Sequence, residues 1–232
     1  MAITLPRVAT FDCYGTLVDW DGGLASFLYA LALEFGDPAD ENGEVMRARW
    51  EEIQFGLIQG PYRSYKEVLA ESLRRWMTER GLPWERARGE ALVRAMRSWQ
   101  PFPDTIPALR QTAASGMRLA ILSNTDRDII AHTLRHLAIP FDAVVTAEDV
   151  AAYKPSIDNF RQVLDAVGEP PETVIHVAFG FKYDIGPAAS LGMRTAWVNR
   201  RAEPKPPGAR PDHVWRDLWD LVVLVGGRGP GF

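Results

Sequence analysis

The sequence holds one cysteine, Cys13, which excludes an internal disulfide and any cysteine-cluster metal site. Long apolar runs are missing too. The longest late in the chain, Leu221 to Val225, is far short of the roughly 20 residues that a membrane span needs. The N-terminal stretch MAITLPRVATF lacks the basic region, apolar core and cleavage site of an export leader. Positive charge is not in excess either. At a net charge of -4 the chain has no general attraction for nucleic acid or an anionic membrane, so any bound anion must be held by a few local cations. These absences predict a cytoplasmic protein with neither a nucleic-acid nor a membrane partner. No internal repeat is visible.

What is present is enough apolar material for a full core, 47% of the 232 residues. The small, β-branched and aromatic run Val8 to Phe11 reads as a buried strand that stops at Asp12 and so delivers a carboxylate to the edge of a sheet. Gly15 and Thr16 follow as a turn that points N–H groups and a hydroxyl back at Asp12. After Val18 the period becomes helical. Leu24, Phe27, Leu28, Leu31 and Phe35 form one stripe that ends at Asp37-Pro38, and three more follow, around Trp50, around Leu69 and around Leu92, up to Trp99.

From Phe102 onward helix and strand alternate. Helices are predicted over Thr105–Ser115, Asp126–Leu137, Ser156–Val167, Ile185–Leu191 and Asp217–Leu224, and strands over Arg118–Leu122, Ala143–Thr146, Val174–Ala178 and Thr195–Val198. Apolar runs such as AVV and VIHVA suit strands buried on both faces. The fold class is therefore α/β: a doubly wound parallel sheet, a Rossmann-like core, built from residues 1–18 and 100–232. Residues 19–99 form a helical cap inserted into it, because the strand before Asp12 precedes the helices and the other strands follow them. Arg200 to Pro211 reads as a proline-rich loop. Asp12, Ser123 and Asp184 all fall where predicted strands end, the place at which such sheets bind ligands.

The segment Asp12-Cys-Tyr-Gly-Thr-Leu resembles the first motif of the haloacid dehalogenase superfamily. Leu119 to Asn124, ending on Ser123, is similar to its second motif, Lys154-Pro155 to its third, with the proline suited to a first helical turn, and Val177 to Met193 to its fourth, with Asp184 as the acid. The four occur in the family's order and span nearly the whole chain. The resemblance implies that Asp12 is a covalent nucleophile. It implies that Lys154 is the fixed cation beside it, and that Thr16, Ser123 and Asn124 hold the substrate carboxylate or the reacting oxygens. Asp184 would hold Lys154 or orient the hydrolytic water.

Two residues on from the nucleophile, phosphatases of this superfamily place an acid. Here Tyr14 stands, and a phenol with a pKa near 10 is a poor substitute. Halide departs without a proton. Tyrosine at this position is characteristic of the L-2-haloacid dehalogenases, which implies a small anionic substrate, no cofactor and no metal. These enzymes receive the halide on an arginine of the second cap helix. Arg49, with Phe55 six residues on, matches best and Arg47 is the fallback. Family members are often dimers through the cap, so a homodimer is an expectation. The fourth motif departs from the pattern. Phe179 and Phe181 stand where dehalogenases carry serine and asparagine, and Phe179 stands where phosphatases carry a magnesium-binding aspartate. With Tyr183 they either floor the cleft or belong to the core, and Lys182 either adds charge or faces solvent. The alternatives are a magnesium-dependent phosphomonoesterase and a binding protein without turnover.

Overall fold

A computed structural model describes residues 5–37, 43–208 and 210–229. Pro38 and the chain ends therefore lie outside it. The sheet has six strands, β1 Val8–Phe11, β2 Arg118–Ser123, β3 Ala143–Thr146, β4 Val174–Ala178, β5 Arg194–Val198 and β6 His213–Trp215, in the order β3-β2-β1-β4-β5-β6. Every pairing is parallel. Every residue of β1 and β4 is buried, as strands covered by helices on both faces must be. β1 is interior, with β2 on one side and β4 on the other, so Asp12 leaves the carboxyl end of a central strand rather than a lateral edge. The strand order reverses between β1 and β4, and the strand ends at such a switch are where sheets of this kind bind ligands.

The core helices are α5 Thr105–Ala114, α6 Arg127–Leu137, α7 Ala147–Val150, α8 Ile157–Val167, α9 Gly186–Ser190 and α10 Trp219–Leu224. Helix α7 and strand β6 were not foreseen. Each is too short for a period to show, and β6 falls just past the proline-rich loop. The fourth-motif helix also starts differently. Phe181–Ile185 form a π-helical turn before α9, which lets Asp184 turn inward. Pro155 does not open a helix: its peptide bond to Lys154 is cis, and α8 begins at Ile157 after Ser156.

Between β1 and α5 lie α1 Trp20–Glu34, α2 Glu44–Ile58, α3 Tyr65–Glu79 and α4 Arg86–Met96, the inserted cap. Trp20 packs tilted on Trp50 at 6.0 Å and edge-on to Trp99 at 6.5 Å, so the cap's core reaches the point where the chain re-enters the sheet domain. Among the described residues no helix is long and apolar enough to cross a membrane.

The cap is docked by a carboxylate of the core. Asp126, buried just before α6, accepts from the first backbone N–H groups of α3, Tyr65 N at 2.7 Å and Lys66 N at 3.0 Å. Those donors have no partner inside their own helix, and the charge also suits the helix N-terminus. Tyr153 adds a hydroxyl bond to the Arg63 carbonyl at 2.8 Å. Asp126→Ala is expected to lower stability by about 1–2 kcal/mol in urea unfolding, as loss of an N-cap does, and to raise proteolysis within α3 more than within α8. Equal cleavage rates for variant and parent would contradict this docking role.

Candidate active site

Asp12 follows β1 directly, and its backbone N–H donates to the Val177 carbonyl at 3.1 Å. The turn after it needs Gly15, whose φ of +92 is left-handed and whose missing Cβ would stand 2.9 Å from the Phe179 ring. That turn returns Thr16, whose hydroxyl donates to Asp12 Oδ2 at 2.7 Å and accepts from the Phe179 N–H at 2.8 Å. The main chain at Phe179 thus helps hold the Asp12 loop.

Lys154 reaches the same carboxylate from beneath the strand ends. Its ammonium is buried and donates to Asp12 Oδ1 at 2.9 Å, to Asp184 Oδ1 at 2.6 Å and to the Leu122 carbonyl at 3.1 Å. An ammonium has three N–H groups, and these contacts use all of them. Asn124 fixes the chain at Lys154, its Oδ1 accepting from Lys154 N at 2.7 Å and its Nδ2 donating to Lys154 O at 3.1 Å. Its amide thus holds the main chain of Lys154 and leaves one Nδ2 hydrogen for a further acceptor. Ser123 is different. Its Oγ is buried with no partner among the described residues, at the end of the strand beside β1.

Burial is the largest influence on each of the three charged groups. It pushes Asp12 above the ordinary aspartate value in spite of the Lys154 ammonium. It acts the same way on Asp184, but there Lys154 and the His176 hydrogen bond prevail and hold the carboxyl below that value. For Lys154 burial works downward, and the two carboxylates more than reverse it. As pH falls, Asp12 takes up a proton before Asp184. Burial also pushes the Tyr14 phenol well above its usual range, and its hydroxyl pairs with Thr133 Oγ1 at 2.8 Å, so it is no base.

The cap arginines are corrected by helix phase. Residues two apart on a helix point about 200° apart, and here the two face opposite ways. Arg49 is half exposed and forks onto Glu79 at 2.8 Å and 2.9 Å, with Glu52 beside it, away from the cleft. Arg47 is buried against Asp21 at 3.0 Å, with Glu44 and Glu51 as further partners. One and two turns along the same face of α2 come Glu51 and Phe55, and the Phe55 ring meets Tyr183 edge-on at 5.4 Å. Tyr183 precedes Asp184, so this face of α2 overlooks the cleft. Burial pushes Glu51 up to about 7, although Arg47 pulls the other way. Phe181 belongs to the core, edge-on to Trp197 at 5.3 Å, while Lys182 is exposed with its ammonium over Phe55.

His176 went unnoticed in the sequence because it lies inside the apolar run VIHVA. It is fully buried, with Nε2 3.0 Å from Asp184 Oδ1 and Nδ1 2.9 Å from Thr10 Oγ1. The one available signal was an imidazole in a strand with no solvent face. Among the described residues no three acidic, histidine or cysteine side chains are grouped to hold a metal ion. Phe179, at the position of the phosphatases' magnesium-binding aspartate, offers no side-chain oxygen, so the residues present do not fit that ion.

Residues 6–192 match the haloacid dehalogenase-like hydrolase family. The chain is 25% identical to an (S)-2-haloacid dehalogenase of Pseudomonas fluorescens over 221 residues, 92% of this chain and 93% of that protein. It superimposes on a solved L-2-haloacid dehalogenase with a TM-score of 0.83 at 25% identity, covering 97% of this chain and 100% of the other. A shorter match, 33% identical over 71% of this chain and 65% of the relative, is to a phosphoserine phosphatase of Thermus thermophilus.

Removing the cation leaves two buried carboxylates facing one another. Lys154→Met is expected to cost about 3–5 kcal/mol at pH 7, the usual penalty for breaking a buried ion pair. The deficit should shrink toward pH 4. In the parent, the depressed Asp184 contributes stability that is lost as pH falls. In the variant, both carboxyls are raised and protonation relieves them. Urea unfolding of both proteins at the two pH values checks this, and a deficit that grows on acidification would contradict it.

Proposed function

This chain belongs to the haloacid dehalogenase-like hydrolases, and from that premise we propose that it cleaves the carbon–halogen bond of a small 2-haloalkanoic acid through an ester on Asp12. Carboxylate oxygen attacks C2 from the side opposite the halogen, an O–C bond forms and the halide leaves with the bonding pair. Water, oriented by Asp184, then adds to the ester carbonyl carbon. The acyl–oxygen bond breaks, the 2-hydroxy acid departs with inverted configuration, and one proton is released for each halide. Lys154 keeps Asp12 in place and offsets its charge as an anionic substrate arrives. The unpartnered Ser123 hydroxyl is suited to receive the substrate carboxylate, and Arg47 is the cap cation suited to the halide. The reading includes a cytoplasmic site of action and a division of the chain at residues 18/19 and 99/100, with the cap closing over the substrate.

The observation that carries this reading is a nucleophile with a phenol, Tyr14, where a carboxylic acid would have to stand to protonate a leaving alkoxide. Tyr14 is un-ionised and engaged with Thr133, so an alkoxide leaving group would depart unprotonated while a halide departs unaided. The phosphatase relative favours a magnesium-dependent phosphomonoesterase as a second reading. Tyr14 and Phe179, which stand where phosphatases carry their acid and a magnesium-binding aspartate, oppose it. Halide assays with chloroacetate and both enantiomers of 2-chloropropionate, beside an aryl phosphate with and without magnesium, separate the two. Halide release that falls at least about 1,000-fold in Asp12→Asn is expected, since the nucleophile is then gone. Magnesium-dependent phosphate release without halide would overturn the proposal.

Glu51 adds a pH dependence. With its carboxyl ionising at about 7, alkaline pH strengthens its hold on Arg47 and places a negative charge against an anionic substrate. KM for 2-chloropropionate is expected to rise several-fold between pH 6.5 and 8.5 in the parent and to stay flat in Glu51→Gln, since ionising a carboxyl near an anion weakens binding. Parallel profiles would remove Glu51 from the site.

A further inference from the structure

Asp184 faces two tasks with one side chain. Both protein donors that reach it, Lys154 Nζ at 2.6 Å and His176 Nε2 at 3.0 Å, end on Oδ1. The other oxygen, Oδ2, lies against Gly180, where a Cβ would stand only 2.7 Å away, so the glycine makes room for it. Oδ2 is therefore the oxygen left to accept from a water. How that free oxygen is presented depends on what stops the carboxylate plane from turning about the Cβ–Cγ bond. Lys154 alone does not stop it, since an ammonium donates to either oxygen with little directional preference. The imidazole does, because it is planar and held at both nitrogens.

The protonation pattern follows from the partners. An ionised carboxylate can only accept, so His176 Nε2 carries the hydrogen. Nδ1 lies 2.9 Å from the Thr10 hydroxyl, which donates to it when the imidazole is neutral; the hydroxyl's other acceptor, the Ile175 carbonyl, is 3.5 Å away. Thr10 and His176 are register partners across β1 and β4, so the two strands themselves set this bond. The Phe160 ring meets the imidazole edge-on at 5.3 Å and limits its tilt.

We propose that His176 is a positioning residue for the ester-hydrolysis step, its Nε2–H fixing Asp184 Oδ1 so that Oδ2 meets the water. The assignment rests on the covalent reading above. Asp12 is held by Thr16 and Lys154 without help from His176, so the alkylation step is independent of the imidazole. Losing His176 thus slows one half of the reaction and spares the other. A purely structural role would slow both.

Rapid-quench halide release and intact-protein mass, measured with L-2-chloropropionate on the full chain, test this. His176→Leu is expected to give a burst of about one halide per active site at nearly the parental rate. Steady turnover should then be about 10- to 100-fold slower, a range typical for lost supporting hydrogen bonds, with the ester mass accumulating. His176→Gln, whose amide N–H sits at the same chain length as Nε2, is expected to restore turnover to within a few-fold. Thr10→Val, which frees the tautomer while leaving the imidazole, should show a smaller form of the same burst and remains informative if the leucine variant does not fold. Equal slowing of burst and turnover, or a glutamine variant as slow as the leucine one, would overturn the assignment alone. Absence of any halide from the parent would overturn the dehalogenase reading and this assignment with it.

Discussion

Everything at the strand ends depends on one buried ammonium. Lys154 stands between two carboxylates that would otherwise repel one another in a site almost closed to water, and its third hydrogen reaches the Leu122 carbonyl. Through those three bonds the ends of β1 and β2 and the π-helical turn after β4 are drawn to a common point. The ammonium is an expensive group to bury, and it is tolerated because each N–H finds an anion or a carbonyl.

The cap completes that environment from above. Its α3 helix begins on a core carboxylate, and its α2 helix carries Arg47, Glu51 and Phe55 along the face on which Phe55 meets Tyr183. Arg47 does not wait there as a bare charge, since Asp21, Glu44 and Glu51 already surround it. Under the proposed reading an incoming anion exchanges with one of them, and Glu51, whose carboxyl burial pushes up to about 7, is suited to yield.

Much of this was legible in the sequence where local pattern and tertiary role coincide. Asp12 and Ser123 stand at the ends of runs that could only be buried strands, and Lys154 and Asp184 come at turns between such runs and helices. The structure joins Asp12, Lys154 and Asp184 directly, with Ser123 at the end of the neighbouring strand. Where the outcome depended on phase or on a partner far along the chain, sequence pattern was not enough. Arg49 and Arg47 differ by two positions, and only the packing of α2 on the core decides which of them faces inward. Asn124 has a structural task that the sequence did not show, its amide spanning the backbone of Lys154. His176 hid in an apolar strand because its partners, Thr10 and Asp184, come from separate elements. Phe179 acts through its main chain, which no side-chain pattern reports.

The central claim is that Asp12, not water, forms the first bond to the substrate carbon. A single turnover of 2-chloropropionate in water enriched in oxygen-18, with enzyme in excess, addresses it directly. The expected result is heavy oxygen in the peptide that carries Asp12 and none in the lactate hydroxyl. Label in the lactate hydroxyl, with Asp12 unlabelled, would mean direct attack by water and would contradict a covalent route.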